Sequence, residues 1–339
     1  MSDLSIFRYK LTRYEFWPWY MMFIPVLPVY FYGVFHTRKL LYFTAVNPSI
    51  DMGGFFGEKK DDILQLIPQE YKVNGIHITD AKTKNEFLEL LSANNLSFPL
   101  VLKPNVGERG DGVKIVRTID AVVDYAQEED DFLIQEYIDF PLELGVLYSK
   151  LPNERGGVVT SITEKKFLSV KGDGSSDVEK LLKAHPRNRL YFELVKADFP
   201  DRLRIIPKKG EEYIVHYIGN HVKGTQFLNG NNHISEQLHD TFSKLGKQVD
   251  GFFYGRYDLK VRNYKELAEG KDIKIFELNG VSAEPGHIYD MSNVFKAYRD
   301  LSIHWLMIIK ISDQNIKKGV KTTPLSQFIK QVKAHFFNN

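Results

Sequence analysis

The sequence predicts an α+β fold, and three patterns carry that prediction. Short runs of alternating apolar and polar residues recur along the chain and suit strands about half buried. Amphipathic runs at helical spacing lie between them without regular βαβ alternation. Breakers such as Asn-Pro, Gly-Gly and Gly-Asp-Gly separate the runs.

In chain order, 40–45 (LLYFTA) reads as a short buried strand, followed by a turn-rich stretch at 47–57. Residues 59–67 form a helix with Ile63, Leu64 and Ile67 on one face and Pro68 as its stop. A second helix, 83–91, carries Phe87, Leu88, Leu90 and Leu91 and ends at Asn94-Asn95. A strand at 99–104 (PLVLKP) ends in a lysine and opens into the glycine-rich turn 105–113; Ile115-Val116 resumes a strand, and 120–127 is helical. Strands follow at 132–138 and 144–148, a hairpin at 158–170, a tight turn at 172–174 and a helix from 178 to 183. Residues 212–218 alternate as a strand, and 234–247 is amphipathic through Leu238, Phe242 and Leu245. Two strands, 254–261 and 273–279, are joined by a polar connection; helices at 297–309 and 326–337 complete the chain. The organisation is a hydrophobic N-terminal segment (1–54), a catalytic body (55–310) and a helical tail (311–339).

Composition bounds the function. The 339 residues are 43% hydrophobic and 26% charged, with a net charge of +2. No basic stripe interleaved with aromatics is present, which excludes nucleic acid as the expected partner. The chain has no cysteine, so disulfides and thiolate metal sites are excluded, and a cytoplasmic location fits.

The richest chemistry lies near the C-terminus, in GRYDLKVR (255–262) and KIFELNG (274–280). Residues two apart on a strand share a face, so Arg256 goes with Asp258 and Glu277 with Asn279, while Phe276 and Leu278 point toward a core. Paired, the strands would present one arginine, two carboxylates and an amide. Oxygen donors of this type suit Mg²⁺, which takes one or two carboxylates plus phosphate oxygens. A solvated face with a chance salt bridge is the alternative, and it is the default for Asp258 taken alone.

In LVLKPNVGERGDGV (100–113), Lys103 stands at a strand end beside Gly107, Gly110 and Gly112, an arrangement able to cradle a polyphosphate. Arg109 either adds a phosphate contact or is solvated. In FLIQEYIDFPLELGVLY (132–148), Glu136 and Glu143 read singly as surface charges.

Lys103 in VLKP, the glycine-rich loop, QEYI with its following glutamate, and the RxD and ExN strands occur in one order. That order resembles the ATP-grasp superfamily over about 55–310. It is most similar to D-alanine–D-alanine ligases, and the GDG turn at 172–174 resembles cyanophycin synthetases. The resemblance implies ATP and Mg²⁺ (or Mn²⁺) as cofactors, with nucleotide held between two sheets. It places Lys103 at the α- and β-phosphates and the loop with Gly107, Arg109, Gly110 and Gly112 over them. Glu136, Tyr137 and Ile138 would line adenine, and Glu143 the ribose. Asp258, Glu277 and Asn279 would hold the metal, and Arg256 the transferring phosphoryl group. An earlier ATP lysine corresponds to Lys60 or Lys59. The implied activity is a carboxylate–amine ligase acting through an acyl phosphate; an ATP-grasp phosphotransferase and a non-catalytic nucleotide-binding module are the alternatives.

Two features depart from the ligase pattern. The N-terminal α/β domain of D-alanine–D-alanine ligases is replaced by a short aromatic segment. The ExN strand runs on into GVSAEPGHIYD, where Ser282, Glu284 and His287 either face the acceptor or are turn residues. Arg155, Lys171, Arg187 and Arg189 are each read as solvated, with a substrate carboxylate as the alternative.

The uncharged run 17–35 (WPWYMMFIPVLPVYFYGVF) is flanked by Arg8, Lys10 and Arg13 and by Arg38 and Lys39. As a helix it would be about 28 Å long, just short of a ~30 Å hydrocarbon core, and Pro18, Pro25 and Pro28 disfavour a straight span. Three readings stand: a transmembrane helix, an interfacial segment beside anionic lipid, and an arm packed on the body or on a second subunit. The partners expected are small-molecule carboxylate and amine substrates, free or lipid-linked, with a membrane surface and a homodimer as further candidates.

Overall fold

The computed structural model describes residues 3–55, 59–80, 82–107, 110–291 and 293–337. Its strands are β1 (Gly75–Ile78), β2 (Leu100–Pro104), β3 (Lys114–Val116), β4 (Phe132–Glu136), β5 (Leu142–Ser149), β6 (Val158–Lys166), β7 (Leu168–Lys171), β8 (Glu212–His216), β9 (Gln226–Asn229), β10 (Tyr254–Val261) and β11 (Lys274–Asn279). They form three sheets, ordered β1-β4-β2-β3, β11-β10-β5-β6-β9 and β7-β8. Every ladder is antiparallel, and the fold is α+β.

Alternation along β2 sets the first sheet. Leu100 and Leu102 pack with Ile134 against Phe87, Leu91, Val122 and Tyr125 of the helices Lys84–Ala93 and Ile119–Glu128. Both helices start where their side chains cap them, at Thr83 and Thr118. The opposite face of β2 carries Lys103 toward the second sheet.

The five-stranded sheet buries one face. Leu144, Val146, Tyr148, Tyr257, Leu259 and Leu278 pack against the helix Glu236–Gln248 and its neighbours. Its other face is divided. At one end Leu147 and Tyr254 meet the helix Val294–Lys317, which runs unbroken through residue 310. At the other end the side chains are polar. The small third sheet packs on the helices Val178–Ala184 and Phe192–Asp198.

The structure corrects several local expectations. Residues 40–45 do not form a strand; Tyr42–Ala45 is a 3₁₀ turn buried under the Val294–Lys317 helix. An apolar run this short has no period of its own, so packing decides. The run 158–170 is not a hairpin: β6 pairs with β5 and β9, whereas β7 leaves the sheet at Phe167 to pair with β8. The polar connection between β10 and β11 holds a helix, Tyr264–Glu269, capped by Asn263.

The N-terminal segment is a series of short helices: Asp3–Thr12, Trp19–Phe23 and Leu27–Thr37, with 3₁₀ turns between them. Tyr14, Met22 and Val26 are buried on the body, and the Tyr14 hydroxyl donates to the Ile288 and Met291 carbonyls, each at 2.5 Å. A Cβ on Gly33 would lie 2.5 Å from Tyr42 and 2.7 Å from Ile309, so glycine sets how closely this helix approaches. By length and composition, Trp19–Thr37 could also cross a membrane.

Candidate functional site

The candidate site is the polar end of the five-stranded sheet, facing the first sheet. β10 and β11 pair in the register that joins the two sequence motifs: Asp258 opposes Glu277, and Arg256 opposes Asn279. Arg256 holds Asp258 through two bonds, Nε to Oδ1 at 2.7 Å and Nη2 to Oδ2 at 3.1 Å. The Asn279 amide donates to the same carboxylate at 3.3 Å. The four groups therefore share one face, as the alternation predicts.

Phe276 does not follow that alternation. A bulge between Asp258 and Leu259 shifts the register, so that Leu259 opposes Ile275. Such an extra residue resets which side the neighbours face. The Phe276 ring lies 5.6 Å from the Lys165 ammonium, on the polar side, while Leu278 stays in the core.

Two cations of the site escaped the sequence reading. Lys165, from β6, is buried between Asp258 (3.2 Å) and Glu143 (3.4 Å). Lys260 lies 4.0 Å from Glu143 and donates to the Ile138 carbonyl at 3.1 Å. The only local signal was alternation: Ser161, Thr163 and Lys165 share a face, as do Asp258 and Lys260. Nothing local showed that Thr163 stands opposite Gly145.

Burial dominates the electrostatics. Glu143 is 7% exposed and is not a surface charge; burial raises its carboxyl pKa against the pull of Lys165 and Lys260. Lys103, expected at a strand end, is also buried, at 6% exposure, and donates to the Phe276 carbonyl at 2.8 Å. Burial draws its pKa down to about 8, with Glu277 and Asp258 opposing and Lys60 assisting. For Asp258, burial favours the neutral acid, but Arg256 and Lys165 outweigh it and the pKa falls. Lys165 is likewise held charged, because Asp258 and Glu143 outweigh its burial. Among the described residues, the Glu277 side chain makes no hydrogen bond or ion pair.

Lys60, rather than Lys59, reaches the glycine-rich turn: its ammonium donates to the Pro104 and Gly107 carbonyls at 3.0 and 2.7 Å. Gly110 and Gly112 have φ of +74° and +67°, which only glycine adopts without strain. A Cβ on Gly110 would come within 2.5 Å of Ile218, so the turn reaches the segment after β8. Gly219 of that segment lies over Glu143 with no room for a side chain. Arg109 lies outside the described residues.

Glu136 accepts from the Asn74 backbone at 2.8 Å and pairs with Lys274 at 3.5 Å, which ties the two sheets together. Tyr137 and Ile138 follow it in the connection to β5, where Lys260 lies 5.2 Å from the Tyr137 ring. Past β11, Ser282 is exposed and its backbone N–H donates to Gly54 at 3.1 Å. Glu284 is half-buried and accepts from the Tyr289 hydroxyl at 2.7 Å. His287 turns inward, 2% exposed, with one ring nitrogen 2.7 Å from Ser161 and the other 3.3 Å from Asp300. Ser161 is 1% exposed, so this Ser-His-Asp row is internal scaffolding with no access for a substrate. Arg187 is also internal: it donates to the Gly224 and Thr225 carbonyls and lies 3.6 Å from Glu15 of the N-terminal arm.

The donor set fits Mg²⁺ with a polyphosphate. Among the described residues no group of three His, Asp or Glu side chains is placed to hold a metal alone. Two carboxylates and an amide leave positions for phosphate oxygens, which is how Mg²⁺ usually binds. The Glu277 side chain supplies a donor not already committed to a hydrogen bond, and the charges of Lys103, Lys165 and Arg256 act on it.

No family model and no curated protein matches the chain. Solved structures do. The D-alanine–D-alanine ligase from Bacillus anthracis is 15% identical with a TM-score of 0.41, over 77% of this chain and 67% of that one. The VanG D-Ala:D-Ser ligase from Enterococcus faecalis is 13% identical with a TM-score of 0.42, over 74% and 61%. A bifunctional glutathione synthetase from Pasteurella multocida is 14% identical with a TM-score of 0.36, over 73% and 38%. This chain thus spans less than two thirds of the VanG ligase and of the glutathione synthetase. At such values the likeness does not reach to activity.

Proposed function

We propose that this protein is an ATP- and Mg²⁺-dependent carboxylate–amine ligase working in the cytoplasm, with an acceptor that is free or attached to a lipid. The observation that carries this reading is the register of β10 on β11, which sets Arg256 and Asp258 against Asn279 and Glu277 beside buried Lys165 and Lys103. In this reading Asp258, Glu277 and Asn279 hold the metal, which when bound neutralises phosphate charge. Lys103, Lys60 and the turn with Gly107, Arg109, Gly110 and Gly112 grip the phosphates. The backbone of Glu136, Tyr137 and Ile138 meets adenine, and Glu143 takes the ribose hydroxyls. Arg256 stabilises the phosphoryl group in transit, a role that needs position and charge rather than covalent chemistry.

A substrate carboxylate oxygen would attack the γ-phosphorus, releasing ADP and forming an acyl phosphate. An amine would then attack the acyl carbon, expelling phosphate and losing a proton. Ser282 and Glu284 stand at the acceptor end, where the acidic Glu284 suits an amine. His287 positions that segment through Ser161 and Asp300.

The test is product analysis with a panel of amino acids, short peptides and hydroxy acids. ADP and phosphate together with a new amide support the ligase. ADP with a phosphorylated acceptor and no free phosphate would establish a phosphotransferase instead, and nucleotide binding without turnover would leave a binding module. Glu277→Gln is expected to abolish turnover and weaken Mg²⁺-ATP binding; full activity in that variant removes the metal site.

A further inference from the structure

The N-terminal arm buries one side and leaves the other apolar. Trp19, Ile24, Leu27, Phe31, Tyr32 and Phe35 are all exposed, Trp19 at 70% and Phe35 at 81%. The helix Leu27–Thr37 lies beside Val294–Lys317, with Tyr30 against Trp305 and Gly33 against Ile309. That neighbour adds exposed Phe295, Ile303 and Leu306. Scattered apolar residues on a surface need no explanation, but an aromatic-rich face built on two packed helices does.

Charge around this face has one sign. Arg8, Lys10 and Arg13 precede it, Arg38 and Lys39 follow it, and all five are exposed. No acidic residue occurs between Phe16 and Ile50. On the neighbouring helix Lys296 and Lys310 are exposed. Asp300 and Asp313 are turned toward partners, Asp300 to His287 and Arg299, Asp313 to His36 and Lys317.

We infer that this face docks the protein on an anionic lipid surface, as a peripheral and not a spanning element. Tryptophan and tyrosine with a basic rim suit the headgroup boundary, where such helices sink about 5–10 Å. A second copy suits it less, since a two-fold contact would set cation against cation. A crossing would tear Met22, Val26, Gly33 and Thr37 from the body and break the Tyr298 bond to the Met21 carbonyl.

The inner side of the arm touches the acceptor end. Glu15 accepts from His221 through its backbone carbonyl at 3.0 Å, His221 stacks on Tyr289 at 5.8 Å, and Tyr289 holds Glu284. Docking would therefore bring that end near the membrane and favour a lipid-linked acceptor, a consequence that rests on the ligase reading; the docking itself does not.

Full-length protein is sedimented with phosphatidylcholine vesicles and with vesicles that also contain phosphatidylglycerol. Binding is expected to be about tenfold stronger to the anionic vesicles and to weaken with salt. W19E/F31E/F35E is expected to remain in the supernatant, and R38E/K39E to lose the anionic preference while still folding. Both should keep the vesicle-free ATP turnover of the parent. Wild-type protein that stays in the supernatant with both vesicles overturns the inference, as does unchanged binding by the triple variant. A dimer that the triple variant dissociates, without vesicle binding, assigns the face to a second copy and overturns it too. Vesicle binding by a protein that turns over no nucleotide would uphold docking and remove the ligase reading.

Discussion

Lys103→Met is expected to make the protein more stable and less able to bind nucleotide. Lys103 is 6% exposed, and burial lowers its pKa from 10.5 to about 8. At ~1.36 kcal/mol per pH unit, holding the charged form in the fold costs about 3 kcal/mol. Against this stands the bond to the Phe276 carbonyl, worth about 1.5 kcal/mol for a charged donor. Methionine keeps the length and removes the charge, so the variant should gain roughly 2 kcal/mol at pH 7. The sign follows from the direction of the shift. Below pH 8 both folded and unfolded chains carry the proton, and the full cost is present. Between pH 8 and 10.5 the unfolded chain binds more protons, so wild-type stability rises and the gain of the variant disappears. Urea unfolding of both proteins at pH 7 and pH 10, with calorimetric Mg²⁺-ATP titration, measures each part. A variant destabilised at pH 7, or a difference independent of pH, would refute the electrostatic account. Undiminished ATP affinity would remove Lys103 from the site.

Three further outcomes are expected. Lys165→Ala leaves Glu143 and Asp258 buried with fewer cations, which should cost about 3–5 kcal/mol. Because a raised carboxyl pKa makes the folded state bind more protons, that loss should shrink from pH 7 toward pH 5; a pH-independent loss in urea melts would point to packing alone. Glu143→Ala should raise the KM for ATP more than it lowers kcat, and an unchanged KM in steady-state assays would count against a ribose contact. Gly246→Ala would ordinarily stabilise a helix by about 1 kcal/mol. Here the added Cβ collides with the Tyr148 ring, so thermal unfolding should show a net loss of about 1–2 kcal/mol, and an increase in Tm would contradict the packing.

What the sequence determined by itself is local and periodic. Alternation put Arg256 with Asp258 and Glu277 with Asn279, and the structure joins these pairs across β10 and β11. Helical spacing located Glu236–Gln248 within two residues, and the positive-φ turn showed as glycines 110 and 112. Period two, however, does not say which strand lies alongside. Lys165 therefore gave no sign that it would stand between Glu143 and Asp258, and β6 and β7 read as one hairpin although they join different sheets. One bulge was enough to turn Phe276 to the polar side. Burial was the other tertiary decision. Lys103 and Glu143 look like surface charges in sequence, because only the approach of a second sheet and of Gly219 removes them from water. For the N-terminal run, hydrophobicity fixed that it must leave water on some side. The fit of Gly33 against Tyr42 and Ile309 decided which side faces the protein, and so which residues are left exposed.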